Sequence, residues 1–177
     1  MIRYCTRHDF DEIFAIVNDA AQAYRGVIPE DRWRDPYMPR DVLGAEIAAG
    51  VKFWGFEGDN RLLGVMGLQP VQDVMLIRHA YVRSALRRRG IGGRLLEHIR
   101  SFTDGPFLVG TWAAASWAIR FYRNHGFHLV PRKETPILLR RYWDVPDRQV
   151  EASVVLADGE WLARGDMANA EDTDTRA

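Results

Sequence analysis

The sequence predicts a mixed α/β fold with one main sheet, and three observations lead there. Short apolar or alternating runs bounded by turn residues recur from Ile2 to Leu156. Stripes at helical spacing stand between several of them. The second, third and fourth runs are joined by turns short enough to require antiparallel pairing, whereas a full helix separates the fourth from the fifth and permits a parallel crossover.

Ile2 to Thr6 alternates in part, as a first strand does. Asp9, with Glu12 three residues on, reads as a capping box for a helix whose Ile13, Ile16, Val17, Ala20 and Tyr24 form one apolar stripe. Gly26 to Arg40 breaks the pattern with Pro29, Pro36 and Pro39 among Trp33, Tyr37 and Met38, which predicts a loop or a short irregular helix. Asp41 to Ala49 has helical spacing in Leu43 and Ile47, projects Glu46, and stops at Gly50. Val51 to Glu57 and Arg61 to Leu68 are the arms of a hairpin turned by Gly58-Asp59-Asn60. After a turn at Pro70 to Asp73, Val74 to Val82 is a fourth strand interrupted by Arg78 and His79. Ile91, Leu95, Ile99 and Phe102 give the next helix its buried stripe, and Gly105-Pro106 ends it. Phe107 to Trp112 suits a strand buried on both faces. Ser116 to His125 reads as a helix closed by Gly126, Phe127 to Val130 as a strand, and Val150 to Leu156 as the last strand. A short helix around Ile137 to Tyr142 lies in the insertion from Pro131 to Gln149.

The stretch Ala80 to Gly93, AYVRSALRRRGIGG, is where chemistry concentrates. It is a strand end, a basic loop with Gly90, Gly92 and Gly93, and the first turn of a helix. The unpaired N–H groups and the positive dipole end of that helix favour an anion, and Arg83, Arg87, Arg88, Arg89 and Arg94 add full charges. A phosphate-bearing ligand follows; a solvated basic turn with glycines for geometry alone is the competing reading.

A chain of 177 residues, 47% hydrophobic and 27% charged, fits one ordinary globular domain. Lys+Arg and Asp+Glu balance at 24 each, so the electrostatic footprint of a nucleic-acid binder is missing and the arginine cluster reads as a local site for a small anion. Cys5 is the only cysteine, which excludes an intrachain disulfide and a cysteine-rich zinc site. With no signal-peptide pattern and no apolar run of about 18 residues, a cytoplasmic chain without membrane partners is expected.

Two separated motifs resemble those of the GNAT superfamily, the acyl-CoA-dependent N-acetyltransferases. The family's Arg/Gln-x-x-Gly-x-Gly/Ala loop is matched by Arg87-Arg88-Arg89-Gly90-Ile91-Gly92. Its later Ala-x-x-Phe-Tyr-x-x-x-Gly-Phe is matched by Ala118, Phe121, Tyr122, Gly126 and Phe127. The resemblance covers residues 1 to 130, with the last strand completing the fold. It implies a GNAT-like, mixed, mostly antiparallel sheet with a parallel pair of fourth and fifth strands, flanked by helices. It also implies a single N-acetyltransferase domain over 1–163, and 164–177 is expected to be a disordered tail. By the same resemblance, acetyl-CoA is the co-substrate, held by the backbone of Ala80, Tyr81 and Val82 and by the loop Arg87, Arg88, Arg89, Gly90, Ile91 and Gly92. No metal is implied. Many relatives carry Asn three residues before the alanine of the second motif; Ala115 stands there, and Ser116 is the candidate substitute.

The reaction so implied is direct attack of a primary amine on the thioester in a ternary complex. A lysine-like amine has a pKa near 10.4, so on the order of one in a few thousand is neutral at pH 7, and a base is useful. Relatives protonate the departing thiolate from the tyrosine that matches Tyr122. A thiol pKa of about 8.5 against about 10 for tyrosine makes stabilisation followed by protonation in a shielded site the better description. A free imidazole titrates at about pH 6.5, which suits a base. Yet period-2 alternation sets Arg78, Ala80 and Val82 on one face and Ile77, His79 and Tyr81 on the other, so without a bulge Arg78 and His79 cannot share a cleft. Relatives favour the Arg78 register, which makes Arg78 an orienting cation and leaves His79 open between a core histidine and a functional group. Glu46 is an outside candidate whose plainer reading is a solvated helix face. The acceptor is a small-molecule or peptide amine, bordered by residues 24 to 41, and the 131–149 insertion borders the same cleft or forms a homodimer contact. The alternative function is a CoA-binding regulatory or interaction module without turnover.

Overall fold

The computed structural model describes residues 1–165. Its elements follow the periodicities closely. β1 (Ile2–Tyr4) and α1 (Phe10–Ala21) lead through an irregular segment to α2 (Arg40–Ala48). β2 (Lys52–Gly58), β3 (Arg61–Val71) and β4 (Val74–Val82) follow, then α3 (Ile91–Phe102). β5 (Phe107–Trp112), α4 (Ser116–Asn124), β6 (His128–Leu129), α5 (Thr135–Tyr142), α6 (Asp147–Glu151) and β7 (Ser153–Ala157) complete the order. The strands form a seven-stranded mixed sheet in the order β1-β2-β3-β4-β5-β7-β6, mostly antiparallel with a parallel β4/β5 pair, flanked by helices. The GNAT-like fold read from the sequence is therefore the observed one.

The chain divides into two compact units. The first comprises Met1–Pro70 and Leu76–Asp104. Its core packs Ile13, Ile16 and Val17 of α1 and Leu43 of α2 against Phe53 of β2 and Leu62 and Val65 of β3. The β2–β3 hairpin turns on Asp59 and Asn60, both left-handed at φ 53° and 57°, as the twist of a two-residue hairpin demands. The expected capping box sits one turn earlier than the sequence implied. Thr6 caps a 3-10 turn, Arg7–Asp9, while the Asp9 carboxylate accepts from Thr6 N at 2.7 Å and from the Arg3 guanidinium at 2.8 and 3.0 Å. The Arg3 hydrogen bond, working against burial, lowers the Asp9 pKa to about 2. Glu12 instead accepts from Leu62 N, so it joins α1 to β3. Two stripe residues also differ from expectation. Ile47 is 37% exposed and Phe102 is 49% exposed, because the core lies beneath Leu43 and Ile99 and the ends of both stripes overhang it. Cys5 is buried, which pushes its thiol up to about 12.

The second unit comprises Val71–Met75 and the chain from Gly105 onward. Met75 N donates to Pro106 O at 2.9 Å where β5 starts alongside the first residues of β4. β7 pairs antiparallel with β5 and with β6, so the last strand inserts between two earlier ones. α6 was not expected. Pro146 presets the backbone and Asp147 suits the positive first turn, so residues read as the start of the last strand wind once before β7. In the 131–149 insertion, α5 buries Leu138, Leu139 and Tyr142, and the Tyr142 hydroxyl donates to Asp73 at 2.9 Å. Residues 159–165 are helical; the expected tail 164–177 otherwise lies outside the described residues. Among the described residues no helix is long and apolar enough to cross a membrane.

Candidate active site

The first half of β4 is regular and buried, with Val74, Leu76 and Ile77 in the core. The second half is not regular. His79 has φ 48°, a left-handed conformation uncommon for any residue but glycine. A left-handed residue inside a strand breaks the alternation of side chains, as a β-bulge does. The exception on which the alternation of Arg78 and His79 depended is therefore met, and both side chains reach Glu46 of α2. The His79 Nε2–H donates to Glu46 Oε2, and Arg78 Nη2 pairs with Glu46 Oε1 at 3.1 Å. Gly67 on β3 makes room for this. A Cβ there would lie 2.8 Å from Arg78 O and 3.0 Å from Val51 Cγ1, so only glycine admits the backbone of β4 so closely.

The cluster is tied off by a residue that sequence reasoning missed. Arg78 Nη1 donates to Gln69 Oε1 at 2.7 Å, and Gln69 Nε2 donates to Ala49 O, past the end of α2, at 3.1 Å. Gln69 was the one polar residue closing an otherwise apolar run, a signal easily absorbed into the turn at Pro70. Glu46 is thus no solvated helix face: its side chain is 23% exposed, and those of Arg78 and His79 are 20% and 12%. Burial pushes the Glu46 carboxyl up, but the hydrogen bond from His79 and the neighbouring Arg78 charge outweigh it and hold it below its usual range. Rings flank the imidazole. Phe53 lies 6.0 Å away and Tyr81 6.4 Å away, centroid to centroid, each within 23° of parallel. Tyr81 meets Tyr24, Tyr24 meets Tyr37, and Tyr37 stacks on Trp33 at 5.9 Å, so the aromatics of the 24–41 segment continue the row. Asn18 secures that segment by bonding both N and O of Met38.

Beyond β4 the basic loop divides its arginines between two tasks. Arg83 donates from its backbone to Leu63 O and from its side chain to Leu62 O, while Arg87 donates to Ala20 O near the end of α1 at 3.1 Å. Ser84 N adds a bond to Asp19 at 2.6 Å. The Arg87 side chain is thereby an anchor of the loop. Arg88 and Arg89 are exposed. Arg88 is left-handed at φ 62°, and Gly90 at φ 77° is the residue from which α3 departs, with no side chain capping its first N–H groups. Ile91 turns its side chain into the core, while Gly92 and Gly93 keep the first helical turn bare. Left-handed backbone, an uncapped helix start and exposed guanidinium groups fit a pyrophosphate-bearing ligand. Ala80, Tyr81 and Val82 are half-buried at the end of the strand leading there.

The second motif lies in the other unit. Tyr122 on α4 is 5% exposed and sits edge-on to Phe121 at 5.0 Å and Phe127 at 5.5 Å. Ala115 is fully buried just before α4, and Ser116 is exposed at its first position. Among the described residues no group of three or more His, Cys, Asp or Glu side chains is placed to hold a metal ion.

Residues 49–129 match the family model of the acetyltransferase (GNAT) domain. Comparison with curated proteins found no match. Among solved structures, the chain is similar to the PaiA N-acetyltransferase of Thermoplasma acidophilum, solved in complex with coenzyme A. That pair shares 18% identity over 89% of this chain and 97% of the other, at a TM-score of 0.66. An N-acetylglutamate synthase of Neisseria gonorrhoeae, complexed with coenzyme A and N-acetyl-glutamate, shares 22% identity over 89% of this chain and 34% of its own, at 0.62. A ribosomal-protein-alanine N-acetyltransferase of Brucella melitensis shares 23% over 73% of this chain and 85% of its own, at 0.54. These likenesses establish the fold, and the resemblance to the GNAT superfamily is borne out.

Proposed function

We propose, from the premise that residues 49–129 carry a GNAT acetyltransferase domain, that this protein transfers an acetyl group from acetyl-CoA to a primary amine of a small molecule or peptide. The observation that carries the reading is the bare, left-handed start of α3 at Gly90 below the end of β4, with Arg88 and Arg89 exposed beside it. Backbone N–H groups of Arg88 to Gly92 would hold the pyrophosphate, and they act without side-chain reorganisation because the loop is anchored by Arg83, Ser84 and Arg87. Ala80, Tyr81 and Val82 would pair with the pantetheine arm. Acetyl-CoA, when bound, supplies the thioester carbonyl that the amine attacks. Arg78 acts as an orienting cation, since it is already committed to Glu46 and Gln69. Tyr122 is the acid of this reading, on the strength of the second motif.

The test is a panel of amines with acetyl-CoA, read as free thiol released over time. Amine-dependent release is expected, and Tyr122→Phe should lower kcat by about 100-fold, the lower range for a general acid. Unchanged turnover in that variant would remove Tyr122 from the role. Ala115, which offers no amide where many relatives have Asn, favours one alternative: a regulatory module that binds CoA. Binding of CoA with no thiol release from any amine would establish it.

A further inference from the structure

We propose that Glu46 and His79 form the proton-accepting dyad of this acyl transfer, with Glu46 holding the imidazole as its Nε2–H tautomer so that Nδ1 takes the proton from the acceptor ammonium. This rests on the reading of amine acetylation above and names the base that reading lacks.

The backbone supplies the first reason. A non-glycine residue held left-handed inside a strand is strained and persists where the surroundings over-determine it. At His79 that reversal brings the ring to Glu46. A tie between α2 and β4 is already made by Arg78 at 3.1 Å, so cross-bracing alone does not call for the imidazole. The second reason is the tautomer. An ionised carboxylate only accepts hydrogen bonds, so Nε2 carries a hydrogen, and in the neutral ring the lone pair then resides on Nδ1. Among the described residues no hydrogen bond engages Nδ1.

The third reason is rigidity. Arg78 takes the other carboxylate oxygen, Gln69 holds Arg78, and the Gln69 amide returns to Ala49 O, so α2, β3 and β4 fix the carboxylate from both sides. Phe53 and Tyr81 each lie near-parallel to the ring, and its side chain is 12% exposed. The groups facing it are Glu46 from α2, Arg78 from its own strand, Tyr81, and uncharged Phe53 from β2. A carboxylate that orients a histidine and stabilises its charged form is the arrangement by which a neutral imidazole becomes an effective base.

The protons balance. The acceptor ammonium gives one proton to Nδ1. Its nitrogen bonds to the acyl carbon as the carbon–sulfur bond breaks, and the sulfur leaves with that electron pair. The nitrogen loses a second proton as the amide forms; one proton ends on the sulfur and the other passes from the imidazolium to solvent.

Two measurements test the dyad. Nitrogen-15 NMR of histidine-labelled protein without cofactor should show His79 as the Nε2–H tautomer with an unprotonated Nδ1; the opposite tautomer overturns the proposal. In kinetics, His79→Gln should lower kcat by about 100-fold near pH 7 and recover as the pH nears the amine's own pKa, where no base is needed. Loss that is flat across pH would mark a structural role and overturn the assignment. Glu46→Gln, which keeps size and an acceptor oxygen but removes the charge, should move the acidic limb of the kcat profile to lower pH; an unmoved limb overturns the positioning role. If wild-type protein acetylates no amine, the acyl-transfer reading fails and the base role with it, while the tautomer still reports whether Glu46 positions the ring.

Discussion

Arg78-His79 and Arg88-Arg89 belong to one strand-and-loop run, and the fold treats their charges in opposite ways. Each pair includes a left-handed residue that is not glycine, His79 at φ 48° and Arg88 at φ 62°. At the first pair both side chains reach Glu46, and the Arg78 charge is met within the protein. At the second, both side chains stay exposed and the charge is left for something outside. Basic side chains desolvated beside a carboxylate are held in a fixed geometry, whereas solvated cations beside an uncapped helix start attract an anion at little cost to stability. Basic residues ten positions apart are thus committed inside the fold in one place and left open to solvent in the other.

Removing the shared carboxylate is the strongest way to break this contrast. Glu46→Ala leaves Arg78 without its counter-charge and the His79 Nε2–H without its acceptor, and should cost about 2 kcal/mol, less than for a fully buried pair because the side chains keep some exposure. Urea unfolding at neutral pH measures it. Because the Glu46 pKa is lowered in the folded protein, its contribution is present above the ordinary carboxylate range and is lost as pH falls through the lowered value. The wild type and the variant should therefore converge in acid, and a gap that persisted there would mean that packing rather than charge sets the difference.

The next effect comes from Gly67. Its alanine variant places a methyl 2.8 Å from Arg78 O, so the backbone beneath the cluster must shift, at about 1.5 kcal/mol. A urea midpoint equal to that of wild type would show that β3 yields without strain. Gly90→Ala sharpens the other side of the comparison. Nothing lies within 4 Å of a Cβ there, so the cost is left-handed backbone alone, about 1 kcal/mol, read by thermal unfolding. CoA affinity, measured by calorimetry, should fall with it.

The smallest stability effect is expected at the exposed pair. Arg88→Ala with Arg89→Ala should leave stability within about 0.5 kcal/mol while CoA affinity drops about 5-fold, and the drop should shrink in high salt. A large loss of stability would place these side chains in the fold instead.

The contrast also explains what could be read in advance. The loop Arg87 to Gly92 was legible because its chemistry is local: glycines, arginines and a helix start lie next to one another along the chain. The stripe Ile13, Ile16, Val17 and Ala20 was legible for the same reason, since periodicity requires no knowledge of a partner. The capping box was misplaced by one turn because Asp9 had two uses, and Arg3 and Thr6 took it. Gln69 passed unnoticed because its partners, Arg78 and Ala49 O, come from other elements.

By itself, then, the sequence determined the order of the elements apart from α6, the antiparallel hairpins and the basic glycine loop that opens α3, each of which follows from spacing, turn chemistry or φ requirements within a few residues. Only tertiary structure decided that β7 enters between β5 and β6, that Glu46 meets Arg78 and His79, and that alternation fails at His79. One reversed φ in a strand, accommodated by the missing side chain of Gly67 and met by a carboxylate from α2, is a long-range agreement that no local pattern encodes.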